Sequence, residues 1–115
     1  PMNQNIFFAL NSALLQDDQL AKIDVMIKYM EKNPISKVTV TGYADKETGN
    51  SNINMTLSEK RAKNVVEALK AKGIAADRII TSYKAPDRIV TDFKGDTVQP
   101  YQKPEENRVC ICIAE

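Results

Sequence analysis

The sequence predicts an α/β chain of the α+β type, with a mixed four-stranded sheet and helices packed on one of its faces. Apolar residues recur at helical spacing in two segments and mark four short strands, in the order β-α-β-α-β-long loop-β. Helices placed between strands in this way collect on one face of a small sheet. Because 115 residues suffice for one hydrophobic core but not for two, residues 1–115 are expected to form a single domain.

The first strand is predicted over the apolar and aromatic residues 6–10, and it should end at Asn11, a turn former. A helix should follow, because Asp17 or Asp18 can cap its start and Pro34 stops it. Its length is expected to be about four turns. Its apolar stripe consists of Leu20, Ile23, Ile27 and Met30.

The second strand is predicted over residues 38–41, where apolar and β-branched polar residues alternate, and Gly42 should mark its end. The polar residues 46–54 predict a loop, since asparagine and glycine favour turns. Residues 56–59 fit a capping box, which predicts a second helix from this point. That helix should end at Gly73, a residue suited to the left-handed conformation found at helix ends.

Ile79 and Ile80 are predicted to open the third strand, and residues 108–113 to form the last one. The connection between these strands is about twenty residues long and is punctuated by proline and glycine, so it should be functional or mobile. Cys110 and Cys112 share one face of the last strand and are poorly placed to bridge each other, which favours free thiols. The opposite face carries Val109, Ile111 and Ile113.

Composition excludes several classes of function. Sixteen basic residues against fifteen acidic ones give a net charge of +1, so no long-range field recruits nucleic acid or an anionic membrane. Histidine is absent, and no nucleophile elbow, phosphate-binding loop or dinucleotide motif occurs, so neither an enzyme nor a cofactor or metal is expected. The sequence also lacks an apolar run of about 18 residues. Membrane attachment is therefore expected only through a region upstream of Pro1.

Asp45 and Arg61 are the residues most suited to binding. Asp45 follows the second strand, and Arg61 borders the buried stripe of the second helix because it lies next to Ala62. A carboxylate and a planar cation a few ångströms apart suit a ligand that carries an ammonium and a carboxylate on one carbon. The first turn of the helix would add N–H donors for the carboxylate.

Simpler interpretations of these residues stay open at this point. Asp45 and Arg61 could form an ordinary surface ion pair worth about 0 to 1 kcal/mol. Asn54 could be a turn residue, Arg108 the solvent-facing start of a strand, and Tyr43 a packing residue. Asp45 with Glu47 could be an acid–base pair, but neighbouring carboxylates in a loop are common and nothing else supports catalysis.

The spacing of these residues resembles the OmpA-like C-terminal domain family. Gly42 and Asp45 match the family's G-x-x-D element at the end of a strand. The family's N-x-x-L-S-x-x-R-A helix is matched by Asn54, Leu57, Ser58, Arg61 and Ala62. The opening IFFALNSALL and the closing ENRVCICI extend the likeness over most of the chain. Ala44 departs from the family's frequent threonine, residues 85–94 look inserted, and Arg108 stands where the family has two arginines.

The resemblance implies a β/α sandwich that binds peptidoglycan without chemistry, by clasping the meso-diaminopimelate of the stem peptide. Asp45 would meet the ammonium and Arg61 the carboxylate, while Asn54 and the backbone at Ala44 would complete the pocket. Arg108, in the closing strand, is the fifth candidate. The chain is then expected to be the C-terminal part of a longer protein that anchors the outer membrane to the wall from its periplasmic side.

A protein-interaction module of the envelope is the alternative interpretation, using the long connection or an exposed edge of the last strand. It could coexist with wall binding. Whether the chain forms a homo-oligomer stays open.

Overall fold

The computed structural model describes residues 1–44, 51–84, 90–91, 97–98 and 108–115. The elements in chain order are β1 (Met2–Phe7), α1 (Asp17–Lys32), β2 (Val38–Tyr43), α2 (Ser51–Ala71), a 3₁₀ turn (Ala76–Arg78), β3 (Ile79–Lys84), β4 (Val90–Thr91), β5 (Thr97–Val98) and β6 (Val109–Ala114). Within the described ranges, neither long helix is apolar enough to cross a bilayer.

Four strands form one mixed sheet in the order β1-β6-β2-β3. Strand β6 runs antiparallel to both of its neighbours, whereas β2 and β3 are parallel and are connected through α2. The predicted fold class is confirmed. The predicted exposed edge of the last strand is wrong, because β6 is hydrogen-bonded on both sides and lies inside the sheet.

The alternation along β6 separates the two faces of the sheet. Cys110, Cys112 and Ala114 face the helices and belong to the main core. Val109 and Ile111 lie on the opposite face, where they pack with Tyr43 in a smaller cluster. Both cysteines are free, as predicted, and both are also buried. The main core also contains buried residues of both helices, namely Ile23, Met26, Ile27, Met30, Ala62, Val65, Val66 and Leu69.

Strand β1 begins four residues earlier than the sequence predicts. Its six residues pair in register with β6, from Met2 opposite Ala114 to Phe7 opposite Val109. Backbone pairing with a central strand therefore outweighs the polar side chains of residues 3–5, which apolar patterning alone leaves out of the strand. The apolar run 6–10 continues beyond the strand into the β1–α1 connection.

Helix α1 confirms its predicted length and end. Its N-cap is Gln16 and not an aspartate, and no side chain caps it. Asp17 and Asp18 lie in the first turn, where negative charge favours the helix dipole. At the other end, the backbone and the side chain of Asn33 both donate to the carbonyl of Tyr29.

Helix α2 begins at Ser51, five residues before the predicted capping box. The predicted loop 46–54 is therefore wrong over its last four residues, and residues 46–50 lie outside the described part. The buried face of the first turns is polar: Asn54 and Ser58 are 4% and 0% exposed. Apolar periodicity cannot detect such a face. Ser58 donates to the carbonyl of Met55 inside the helix instead of capping it.

Gly73 confirms the predicted helix end with a φ of +102°. Gly42, in contrast, does not end its strand, which continues to Tyr43. A Cβ at Gly42 would lie 2.0 Å from the carbonyl oxygen of Ser58 and 2.9 Å from the amide nitrogen of Ala62. Glycine is thus required here because the backbones of β2 and α2 are in direct contact. This close approach fixes where the first turns of α2 stand relative to the end of β2.

The long connection contains a small antiparallel pairing of β4 with β5. Its other residues, 85–89, 92–96 and 99–107, lie outside the described part. Its expected functional or mobile character stays a prediction.

Candidate ligand-binding site

Arg61 is the largest fully buried side chain described, with 0% exposure. It lies seven residues after Asn54 and next to Ala62, so it belongs to the face of α2 that packs on the sheet. The sequence predicted that Arg61 would border the buried stripe, but it lies within it. An ordinary exposed ion pair is therefore excluded for this side chain.

Backbone carbonyls surround the guanidinium. Arg61 Nε donates to the carbonyl of Ser12 at 2.8 Å, Nη1 to that of Tyr43 at 2.9 Å, and Nη2 to that of Ala9 at 3.2 Å. Its Cζ lies 5.3 Å from the centroid of the Phe8 ring, a cation–π distance. Arg61 therefore joins α2 to the end of β2 and to the β1–α1 connection.

Two of the other predicted site residues, Ala44 and Asn54, are buried like Arg61. Ala44 directly follows β2 and is buried, with 3% exposure, beside the Tyr43 carbonyl that Arg61 contacts. Asn54 is buried on the same face of α2, two turns before Arg61. Asp45 lies outside the described residues, so its distance from Arg61 stays a prediction.

Arg108 reaches the same region from the other side of Phe8. Its Nε donates to the Phe8 carbonyl at 3.4 Å, and the Phe8 amide donates to the Arg108 carbonyl at 2.8 Å. Phe8 thus contacts Arg61 through its ring and Arg108 through its backbone. Arg108 is half-buried at the start of β6 and not the solvent-facing residue of the simpler interpretation.

Sequence reasoning did not anticipate the cavity beside this centre. It measures about 490 Å³ and is open to solvent, within the usual range of small-molecule sites. One wall is the β1–α1 connection and the other is the first turns of α2. The residues that line it are Asn11, Ala13, Asn52, Ile53, Thr56, Leu57 and Lys60. Asn11 has a φ of +54°, and asparagine is among the few residues that adopt this conformation readily.

The positive charge of Arg61 also affects a cysteine in the main core. Burial raises the pKa of the Cys110 thiol well above its usual value, a hydrogen bond with Cys112 raises it further, and the nearby Arg61 guanidinium opposes both. A thiol held neutral in this way is a packing residue and not a nucleophile. In the described part of the chain, no three His, Cys, Asp or Glu side chains cluster as metal ligands would.

The sequence model of the OmpA family matches residues 7–103, which include Phe8, Ala44, Asn54 and Arg61 but not Arg108. The chain belongs to the OmpA family. Its similarity to Outer membrane protein 40 of Porphyromonas gingivalis is 33% identity over 109 residues, covering 95% of this chain and 26% of that protein. Its similarity to the Peptidoglycan-associated lipoprotein of Legionella pneumophila is 31% identity over 84 residues, covering 72% of this chain and 47% of the lipoprotein.

The fold is shared with solved structures of the family. The peptidoglycan-associated lipoprotein from Burkholderia pseudomallei superposes with a TM-score of 0.80 at 21% identity, covering 96% of this chain and 89% of that one. This OmpA-family chain spans about a quarter of the outer membrane relative and about half of the Legionella relative.

Proposed function

We propose that this OmpA-family domain binds peptidoglycan non-covalently, through the diaminopimelate of the stem peptide. The observation that carries the proposal is the buried Arg61. Three backbone carbonyls, one at the end of β2 and two in the β1–α1 connection, hold its guanidinium in place. Family membership and a relative named as peptidoglycan-associated support it.

Arg61 is suited to hold the diaminopimelate carboxylate. A guanidinium presents its N–H donors in a rigid plane that matches a carboxylate. Because the carbonyls of Ser12, Tyr43 and Ala9 fix this plane, little side-chain entropy is lost when a ligand binds. The side chain is fully buried, so the carboxylate reaches it only when the segments that cover it shift. The β1–α1 connection, which supplies two of the three carbonyls, is one such segment, and the Tyr43 carbonyl would still hold Nη1 when that connection shifts.

Asp45 would meet the ammonium on the same carbon, one residue beyond Ala44. Asn54, buried on the Arg61 face of α2, would complete the pocket with the Ala44 backbone. Arg108 would contribute to ligand binding through Phe8, because it donates to the Phe8 carbonyl while Arg61 lies over the Phe8 ring. None of these contacts requires a covalent step, so we propose a binding function and not an enzymatic one.

The affinity of one site should be modest. Two charge-assisted contacts supply roughly 3 to 6 kcal/mol, and much of this is offset by the freedom that the ligand loses. A domain tethered beside a polymer with many identical stem peptides gains from effective concentration. Weak single sites therefore suit an anchor between the outer membrane and the wall. We place the domain on the periplasmic side of that membrane, within a longer envelope protein.

Sedimentation with insoluble wall polymer tests the proposal. The domain should sediment with wall that contains diaminopimelate and much less with lysine-type wall, because lysine lacks the second carboxylate that Arg61 should hold. Diaminopimelate wall stripped of its stem peptides by an amidase is the control and should not retain the domain. Equal sedimentation with both intact polymers would contradict the diaminopimelate mechanism.

A further inference from the structure

We propose that Lys60 binds a second carboxylate of the same stem peptide, in the cavity between the β1–α1 connection and α2. This inference rests on the proposed function and extends it from one amino-acid group to an acidic peptide. It assigns a specificity-determining role to a residue next to Arg61 in sequence that points to a different side of the helix.

The cavity is the first observation. Its α2 wall runs from Asn52 to Lys60, a distance of about 12 Å along the helix axis. An extended peptide advances about 3.3 Å per residue, so the cavity accommodates roughly three to four residues of such a peptide. Ile53, Leu57 and Lys60 recur three and four positions apart and therefore share one face of the helix, towards the connection.

The two walls of the cavity are held together by the proposed carboxylate site itself. Arg61 donates to the carbonyl of Ser12, and Asn64 Nδ2 donates to the carbonyl of Ala13 at 2.8 Å. Asn11 and Ala13, which flank Ser12, both line the cavity. A peptide whose diaminopimelate carboxylate reaches Arg61 past this connection would therefore place its neighbouring residues in the groove.

The charge of the residues that line the cavity indicates which kind of ligand it should bind. Lys60 is exposed, and it is the one charged side chain among the described residues that line the cavity. It makes no ion pair within the described ranges of the chain. Asn11, Asn52 and Thr56 add neutral polar groups, and Ile53 and Leu57 add apolar surface. A cavity lined by one cation and by both polar and apolar side chains suits a peptide segment that is anionic and partly aliphatic.

The second carboxylate has two chemical sources in such a peptide. One is the free α-carboxylate of a γ-linked glutamate that precedes the diaminopimelate, and the other is the carboxylate at the C-terminus of the peptide. The chemistry at Lys60 is the same for both, so the probes must separate them.

The experiment is a calorimetric titration of the wild-type domain and Lys60→Gln with three soluble peptides. They are L-Ala-γ-D-Glu-meso-diaminopimelate, its glutamate α-amide and its C-terminal amide. Lys63→Gln is the matched control, because Lys63 is an exposed cation on the same helix that does not line the cavity. The wild-type domain should bind the parent peptide three- to tenfold more tightly than Lys60→Gln does, by an order-of-magnitude estimate for one partly exposed charge-assisted contact.

Comparing the two amides on both proteins identifies which peptide carboxylate Lys60 binds. One of the two amides should bind the wild-type domain as weakly as Lys60→Gln binds the parent, and Lys60→Gln should no longer distinguish that amide from the parent. Higher salt should reduce the difference. If Lys60→Gln binds all three peptides as the wild type does, or loses no more affinity than Lys63→Gln, the inference is overturned. Wild-type binding to the parent peptide and to diaminopimelate wall would still stand in that case, so the proposed function would survive.

Discussion

Arg61→Leu should destabilise the fold as well as remove the proposed carboxylate site. The sequence alone predicts an intact fold, because leucine preserves much of the apolar packing of an arginine stem. In the structure, the change removes three donors and leaves the carbonyls of Ser12, Tyr43 and Ala9 without them. It also removes the cation over the Phe8 ring.

The Tyr43 carbonyl bond is buried, whereas the other two are partly buried and can be replaced by water. Losing hydrogen bonds to a charged donor costs about 1.5 to 3 kcal/mol each at most, and the desolvation cost of a buried cation disappears with the arginine. We therefore expect a net loss of about 3 kcal/mol in the free energy of unfolding. For a domain of this size, this corresponds to a Tm lower by roughly 10 °C or more.

Urea and thermal unfolding followed by circular dichroism measure this loss. Lys63→Leu is the control, since an exposed residue two positions away should change stability by no more than about 0.5 kcal/mol. An Arg61→Leu protein that unfolds within about 1 kcal/mol of the wild type would refute the conclusion that these carbonyl bonds hold the two segments to α2.

Three further predictions concern the scaffold. Gly42→Ala should cost about 2 to 3 kcal/mol in urea unfolding, because its Cβ would overlap the Ser58 carbonyl at 2.0 Å; a neutral result would mean that α2 does not press on β2. Arg78→Lys should cost about 1 to 2 kcal/mol, since lysine cannot serve all three carbonyls that Arg78 binds around the end of α1; an unchanged Tm would contradict this. The Cys110 thiol has a raised pKa in the fold, so the folded state keeps a proton that the unfolded state releases near its ordinary pKa of 9.0. The stability from this group is thus complete below pH 9.0 and declines above it. Above pH 9.0, the free energy of unfolding of the wild type should fall by up to about 1.4 kcal/mol per pH unit more than that of Cys110→Val. Equal declines of the two proteins under reducing conditions would refute this prediction.

The parts of the fold that the sequence predicted correctly depend on local chemistry. Pro34 and Gly73 end helices for reasons that lie within a few residues, and Val109 and Ile111 alternate with the cysteines on a strand of period two. Strand β1 was misplaced because its polar residues 3–5 pair with β6, a strand more than a hundred residues away in sequence. Such long-range backbone pairing leaves no mark in apolar periodicity.

The burial of Arg61 was not predicted from the sequence. Arg61 was expected beside the apolar stripe, because a charged residue is rarely fully buried unless it is paired. Three of its partners are backbone carbonyls, which have no side-chain identity that a sequence pattern could show. Small residues gave the available hint: Gly42, Ser58 and Ala62 permit the close approach of α2 to β2 that encloses the guanidinium. The cavity at Lys60 depends on the course of the β1–α1 connection, which the sequence did not indicate.

We propose that this site binds diaminopimelate through two opposite charges, one for the ammonium and one for the carboxylate. Titration of Asp45→Asn with L-Ala-γ-D-Glu-meso-diaminopimelate tests it most directly, because asparagine preserves the size of the side chain and removes only the charge that should face the ammonium. Affinity should fall about tenfold or more, equivalent to ~1.5 to 3 kcal/mol, while the Tm stays close to that of the wild type. A folded Asp45→Asn protein that binds the peptide as tightly as the wild type would show that the ammonium is held elsewhere.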